Sequence, residues 1–151
     1  MSIRVVAAII ELNGRLLICQ RRVGGPFALK WEFPGGKMRP SETPRAALAR
    51  ELREELGIEV RIGRLLSRVV HRYSELADSV ELAFFAATLA GLAANNDAQV
   101  RNGLGNSQVQ PPHLRNLVFE QIRWVRPSDL ERFDFLEADR QLVKRLVRGH
   151  M

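Results

Sequence analysis

With 151 residues, 23 Lys and Arg against 17 Asp and Glu and a formal charge of +6, the chain is long enough for one self-sufficient core, and a single domain over 1–151 is expected. The lone cysteine, Cys19, excludes an intramolecular disulfide, and the apolar run from Val5 to Ile10 is too short to span a membrane, so a cytoplasmic protein without a membrane partner is expected. The positive excess calls for an anionic partner, but Arg21-Arg22, Arg61, Arg64, Arg68, Arg72 and Lys144-Arg145 to Arg148 are scattered without interleaved aromatic residues, which favours a small polyphosphate over nucleic acid.

In chain order, Ile3 to Glu11 and Arg15 to Arg21 read as two strands of a hairpin, because Asn13-Gly14 between them suits a tight type I′ turn. Gly24-Gly25-Pro26 breaks the pattern, Trp31 to Phe33 suits a short strand, and Pro34-Gly35-Gly36 forces a loop. A helix then follows, with Thr43 as N-cap, Pro44 as first residue, Leu48, Leu52 and Leu56 as a buried stripe, and Gly57 at its end. Ile58 to His71 and Val80 to Ala90 are β-like, and Leu82-Ala83-Phe84-Phe85-Ala86 in the second suggests burial on both faces. Residues 93–116 hold Asn95-Asn96, Gly103, Gly105 and Pro111-Pro112 without periodicity, and a flexible loop is expected there. Leu117 to Val125 reads as a last strand, Ser128 to Glu131 as a capping box opening a short helix, and Leu136 to Val147 as an amphipathic helix with Leu142, Val143, Leu146 and Val147 inward.

The chemistry concentrates on the first helix. Glu51, Glu54 and Glu55 stand at i, i+3 and i+4, so their side chains leave one face within a turn, apart from the leucine stripe. Like charges at 4 Å repel by about 1 kcal/mol in water and roughly 4 kcal/mol at an effective dielectric of 20. A bound cation turns that repulsion into coordination, and hard carboxylate oxygens select Mg²⁺, Mn²⁺ or Ca²⁺.

Gly36, Glu42, Arg50, Glu51, Leu52, Glu54, Glu55, Gly57 and Ile58 fill every fixed position of G-x5-E-x7-R-E-U-x-E-E-x-G-U, with U aliphatic. The segment therefore resembles the Nudix hydrolases, and Trp31-Glu32-Phe33-Pro34-Gly35-Gly36-Lys37 upstream looks like their MutT branch, which hydrolyses nucleoside triphosphates and their oxidised forms. The likeness is strong near the motif and extends over 3–91 and 117–148. It implies an α/β fold, an α/β/α sandwich with a central mixed sheet.

The resemblance also implies roles by position. Glu51, Glu54 and Glu55, with Gly35, would hold Mg²⁺ or Mn²⁺; the acid that serves as base differs within the family, and Glu51 is the expected base here, with Glu54 and Glu55 the principal ligands. Arg50 would orient these acids, reaching Glu54 or Glu42, while Gly36, Lys37 and Arg21 would meet the phosphates. A further metal ligand is expected some six residues before Trp124; that position is Val118, and Glu120, on the same face of a strand, is the substitute. Phe33 would supply stacking or a backbone contact to a base, and Asp139 would read its edge, offering only acceptors unless burial keeps it protonated.

The expected activity is Mg²⁺-dependent cleavage of a nucleoside triphosphate, of cytidine type (CTP, dCTP) or oxidised (8-oxo-dGTP), to nucleoside monophosphate and pyrophosphate. It would clean the nucleotide pool, by a monomer or homodimer. Two rivals stay open. A dinucleoside polyphosphate hydrolase carries a tyrosine about seventeen residues past the motif, and Tyr73 stands fifteen past Ile58. A nucleotide-binding regulator without turnover is the rival from another class.

Overall fold

The computed structural model describes residues 2–90 and 114–149. Seven strands among these residues, β1 (Ser2–Leu12), β2 (Arg15–Gln20), β3 (Trp31–Glu32), β4 (Gly35–Lys37), β5 (Val60–His71), β6 (Ser79–Leu89) and β7 (Gln121–Val125), form a mixed sheet in which five run in the order β3-β2-β1-β6-β5. β4 pairs with β1 and β7 with β2. The β1–β6 pair is parallel and every other pair is antiparallel. The hairpin turn forms as its dipeptide requires, with Asn13 at φ 54° and Gly14 at φ 77°.

Helix α1 (Pro44–Leu56) covers one face of the sheet and α2 (Arg140–Val147) the other. Successive residues of a strand point to opposite faces, so β1 sends Val6, Ala8 and Ile10 toward α1 and Ala7 and Ile9 toward α2. The same alternation splits Phe84 and Phe85 between the two layers, which is why β6 is buried on both sides. Leu48, Leu52 and Leu56 are fully buried, each stabilising by about 1.5–3 kcal/mol relative to exposure. This is the expected three-layer α/β/α arrangement.

Helix α1 begins and ends where its sequence dictates. The Thr43 side chain accepts the Ala46 N–H at 3.1 Å, and Gly57 takes a left-handed φ of 66° to close the C-terminus. Four elements differ from expectation. Gly35–Lys37, expected within a loop, pairs with β1 as the short strand β4. The last strand starts at Gln121, not Leu117, because the Asn116 side chain bonds both N–H and C=O of Phe119 and diverts that backbone from the ladder. Pro127 opens a 3₁₀ turn over Pro127–Arg132 one residue early, so Ser128 lies inside it and no capping box forms. The C-terminal helix is preceded by a separate 3₁₀ turn, Glu137–Asp139, and α2 itself starts at Arg140.

Most of the stretch expected to be a flexible loop, 93–113, lies outside the described residues. Its last three residues, 114–116, dock on the end of α1: Leu114 is buried, and Arg115 N–H donates to the Leu56 carbonyl at 2.9 Å.

Candidate active site

The loop from β3 through β4 lays the Pro34-Gly35-Gly36 backbone between β1 and α1. Ala8 N–H donates to the Pro34 carbonyl at 2.8 Å, and Val5, Val6 and Ala7 of β1 pair with Lys37, Gly36 and Gly35. Backbone excludes a side chain at Gly35, and one at Gly36 would displace an acid of α1. A Cβ on Gly35 would fall on the Val6 carbonyl oxygen, and one on Gly36 would fall on the Glu51 carboxylate. The two glycines thus let the acids of α1 lie directly against backbone.

Arg50 organises that face. Its Nε and Nη2 grip both oxygens of Glu42 at 2.7 and 2.9 Å, Nη1 reaches Glu51 at 3.0 Å and Glu54 at 3.2 Å, and Nη2 also donates to the Lys37 carbonyl at 3.1 Å. Both partners expected for Arg50 are therefore engaged together, with Glu51 added. Bonds from the guanidinium, with the Arg39 N–H as a further donor, hold the Glu42 carboxyl down to about 2 from 4.5. A depressed acid contributes stability that is full above 4.5 and lost as pH falls toward 2. The melting temperature of the wild type should exceed that of Glu42→Gln by a constant margin above pH 4.5, and the two should converge as pH approaches 2. An offset indifferent to pH would show that the Glu42–Arg50 pair does not stabilise the fold.

Glu55 turns the other way, into the molecule. It accepts the Gly35 N–H at 3.3 Å, and burial, then the charges of Glu51 and Glu32, push it up to about 9. Glu32, expected only as part of the MutT-like Trp31 to Lys37 segment and with no role of its own, stands beside it: burial raises its pKa against the opposing pull of Arg21. The available signal was a carboxylate set between Trp31 and Phe33 on a buried strand. Arg21, expected at a phosphate, is engaged with both Glu32 oxygens at 3.2 and 3.3 Å and with the Pro26 carbonyl at 3.2 Å.

A cavity of about 290 Å³ runs from Gly35, Gly36, Lys37 and Glu55 to Asp139. That lies at the lower end of the roughly 300–1,000 Å³ of small-ligand sites. Asp139 is 2 % exposed, and its Oδ2 accepts the Phe33 N–H at 3.4 Å. Burial and then the nearby Glu32 charge raise its pKa well above the usual carboxylate range. Phe33 itself packs edge-on to Phe84 and tilted against Phe135, with centroids 6.1 and 5.2 Å away, so its ring serves the core while its backbone meets Asp139. Glu120 is exposed just before β7, its N–H bonded to the Gln20 carbonyl at 2.9 Å. Residues 117–120 bend rather than extend, so the alternation that put Val118 and Glu120 on one strand face does not hold.

Residues 1–146 match the NUDIX domain. The chain belongs to the Nudix family. It is 46 % identical over 80 residues to the CTP pyrophosphohydrolase of Escherichia coli (strain K12), a match covering 48 % of this chain and 59 % of that protein. It is 38 % identical over 88 residues to the 8-oxo-dGTP diphosphatase of Proteus vulgaris, covering 58 % of this chain and 77 % of that one. In fold it matches the solution structure of the E. coli ORF135 protein with TM-score 0.70 and 30 % identity, over 95 % of this chain and 86 % of that chain.

Nudix hydrolases generally use divalent metal ions. Among the described residues no three acidic, histidine or cysteine side chains converge as a preformed metal group, since Arg50 draws Glu51 and Glu54 to itself. The donor chemistry nevertheless fits a hard cation. Burial and then the neighbouring charges of Glu51 and Glu32 disfavour the ionised Glu55, a penalty that a bound cation would offset, and the Gly36 backbone leaves room for the Glu51 carboxylate that a Cβ would fill.

Proposed function

We propose that this Nudix chain is a Mg²⁺-dependent pyrophosphohydrolase that converts nucleoside triphosphates to nucleoside monophosphate and pyrophosphate and so cleans the nucleotide pool. One observation carries the reading: a single cavity joins Glu55 of the motif helix and the Gly35-Gly36 backbone to the buried Asp139. A ligand with phosphates at one end and a base at the other fits that layout. The names of the two relatives, one acting on CTP and one on 8-oxo-dGTP, support the class of substrate.

Glu51, Glu54 and Glu55 with the Gly35 carbonyl would hold the metal, and Glu120 is the nearest candidate for a further ligand. Bound there, Mg²⁺ or Mn²⁺ supplies charge neutralisation for the phosphoryl oxygens. The protein's own part is positional. Gly36 lets phosphate approach the backbone, Lys37 at the cavity wall offers a cation, and Glu51 takes the proton of the attacking water. Arg21 joins them once a phosphate competes with Glu32 for its guanidinium. Arg50 keeps the acids apart and aimed.

Asp139 decides the base. Burial raises its pKa, which favours the protonated carboxyl, and a protonated carboxyl would offer a donor as well as an acceptor. Hydrolysis of a panel of CTP, dCTP, dGTP, 8-oxo-dGTP, diadenosine polyphosphates and ADP-ribose with Mg²⁺ tests the substrate class directly, and activity confined to the last two would overturn it. On the same panel Asp139→Asn should shift the ratio of kcat/KM between bases by roughly tenfold, the scale of one lost or gained buried hydrogen bond. Unchanged ratios would remove Asp139 from base recognition.

A further inference from the structure

Tyr73 stands just beyond β5 and lines the cavity, where the reaction chemistry leaves it without a task. Its hydroxyl accepts the N–H of Ala138 at 2.9 Å, in the 3₁₀ turn one residue before Asp139. The ring packs against Phe27 at a centroid distance of 4.7 Å and edge-on against His71 at 4.4 Å. His71 in turn meets the carboxylate of Glu137 at 3.0 Å. Two neighbouring positions of one short turn are therefore tied to the end of β5 by two side chains of different chemistry.

No side chain caps that turn at Leu136; its own backbone bonds are Asp139 N–H to the Leu136 carbonyl at 3.0 Å and Arg140 N–H to the Glu137 carbonyl, and Leu136 N–H to the Trp31 carbonyl at 3.0 Å ties its start to β3. Between these ends, the Tyr73 hydroxyl is the side-chain partner of the Ala138 N–H. The bond it has to set, Phe33 N–H to Asp139, is already long at 3.4 Å, so a shift of a few tenths of an ångström breaks it. The placement of the Asp139 carboxyl thus depends on where the turn is anchored.

We propose that Tyr73 is a specificity-determining positioning residue: by holding Ala138 it sets the Asp139 carboxyl in the register that discriminates bases, with His71–Glu137 as the second tie. The inference rests on the reading that the cavity receives a nucleobase against Asp139. Tyr73 acts on selection through Asp139 and takes no part in the water's attack. Loss of the hydroxyl leaves the aromatic wall in place and removes the partner of the Ala138 N–H, loosening the turn next to Asp139.

The test is Tyr73→Phe in the full chain, assayed with Mg²⁺ on CTP, dCTP, dGTP and 8-oxo-dGTP beside Asp139→Asn. Tyr73→Phe should compress the spread of kcat/KM between the best and worst nucleotide by roughly tenfold, with KM for the preferred one rising more than kcat falls. His71→Gln should act in the same direction by a smaller factor, and it carries the test alone should Tyr73→Phe not fold. Three results overturn the proposal or its premise. An equal loss on all four nucleotides with a lowered melting temperature makes Tyr73 merely structural. Unchanged ratios for Tyr73→Phe and His71→Gln while Asp139→Asn shifts them remove Tyr73 and leave the pocket. Unchanged ratios in all the variants overturn the base-pocket reading itself.

Discussion

Glu54→Gln is expected to lower kcat with Mg²⁺ by roughly a hundredfold or more, about 2.7 kcal/mol of barrier, while leaving the fold intact. The substitution keeps the size of the side chain and removes its charge. In the fold that charge does little: the Glu54 side chain is 49 % exposed, and its partners are Arg39 at 3.4 Å and the i−4 Arg50 at 3.2 Å. Exposed pairs of this kind contribute about 0–1 kcal/mol. Holding a divalent cation, by contrast, depends on the full carboxylate charge. The decisive comparison is therefore kcat against melting temperature. Near-normal turnover at saturating Mg²⁺ would take Glu54 out of the metal set, and an unfolded variant would contradict its surface placement.

Arg50→Met should be the most destabilising single change at the site. The Arg50 side chain is 13 % exposed and makes five hydrogen bonds, two of them a fork onto Glu42. Without it Glu42, Glu51 and Glu54 face one another with only the Arg39 N–H on Glu42 and the exposed Arg39 side chain on Glu54 as compensation, and the Lys37 carbonyl loses the Arg50 donor. Removing one partner of a buried pair costs about 3–5 kcal/mol. Partial solvent access reduces this to about 2–3 kcal/mol, or roughly 4–12 °C in melting temperature for a chain of this size. Arg50→Lys should recover only part of the loss, because an ammonium cannot reproduce the fork. Calorimetry of both variants checks this, and a melting temperature within a degree or two of wild type would show that the network is decorative. Turnover should fall in Arg50→Met as well, since Glu51 and Glu54 lose the cation that aims them.

Local chemistry made much of this molecule readable in advance. Asn13-Gly14 dictated a turn, Thr43, Pro44 and Gly57 set both ends of α1, and the leucine stripe told which side of that helix faces the sheet. Each of these signals acts within a few residues, through φ preferences, caps and the helical period. The Nudix spacing belongs to the same class, because it encodes one loop and one helix. Where reading went astray, a distant partner had intervened or a nearby side chain had bonded the backbone. Asn116 captured Phe119 and shortened the last strand, and Tyr73 engaged Ala138 in the turn that precedes α2.

The amino-acid sequence by itself determined the family, the helix that presents Glu51, Glu54 and Glu55, and the glycines against which they lie, because these are fixed by spacing along one continuous segment. Only the tertiary structure decided that Glu32 and Glu55 share a buried corner, that Arg21 is held by Glu32, and that Asp139 lies buried on Phe33 N–H with Tyr73 behind the turn. Those contacts join residues far apart in the chain, up to 106 positions for Phe33 and Asp139. Burial raises a carboxyl's pKa only once the whole sheet has closed around it, and no local pattern records that closure.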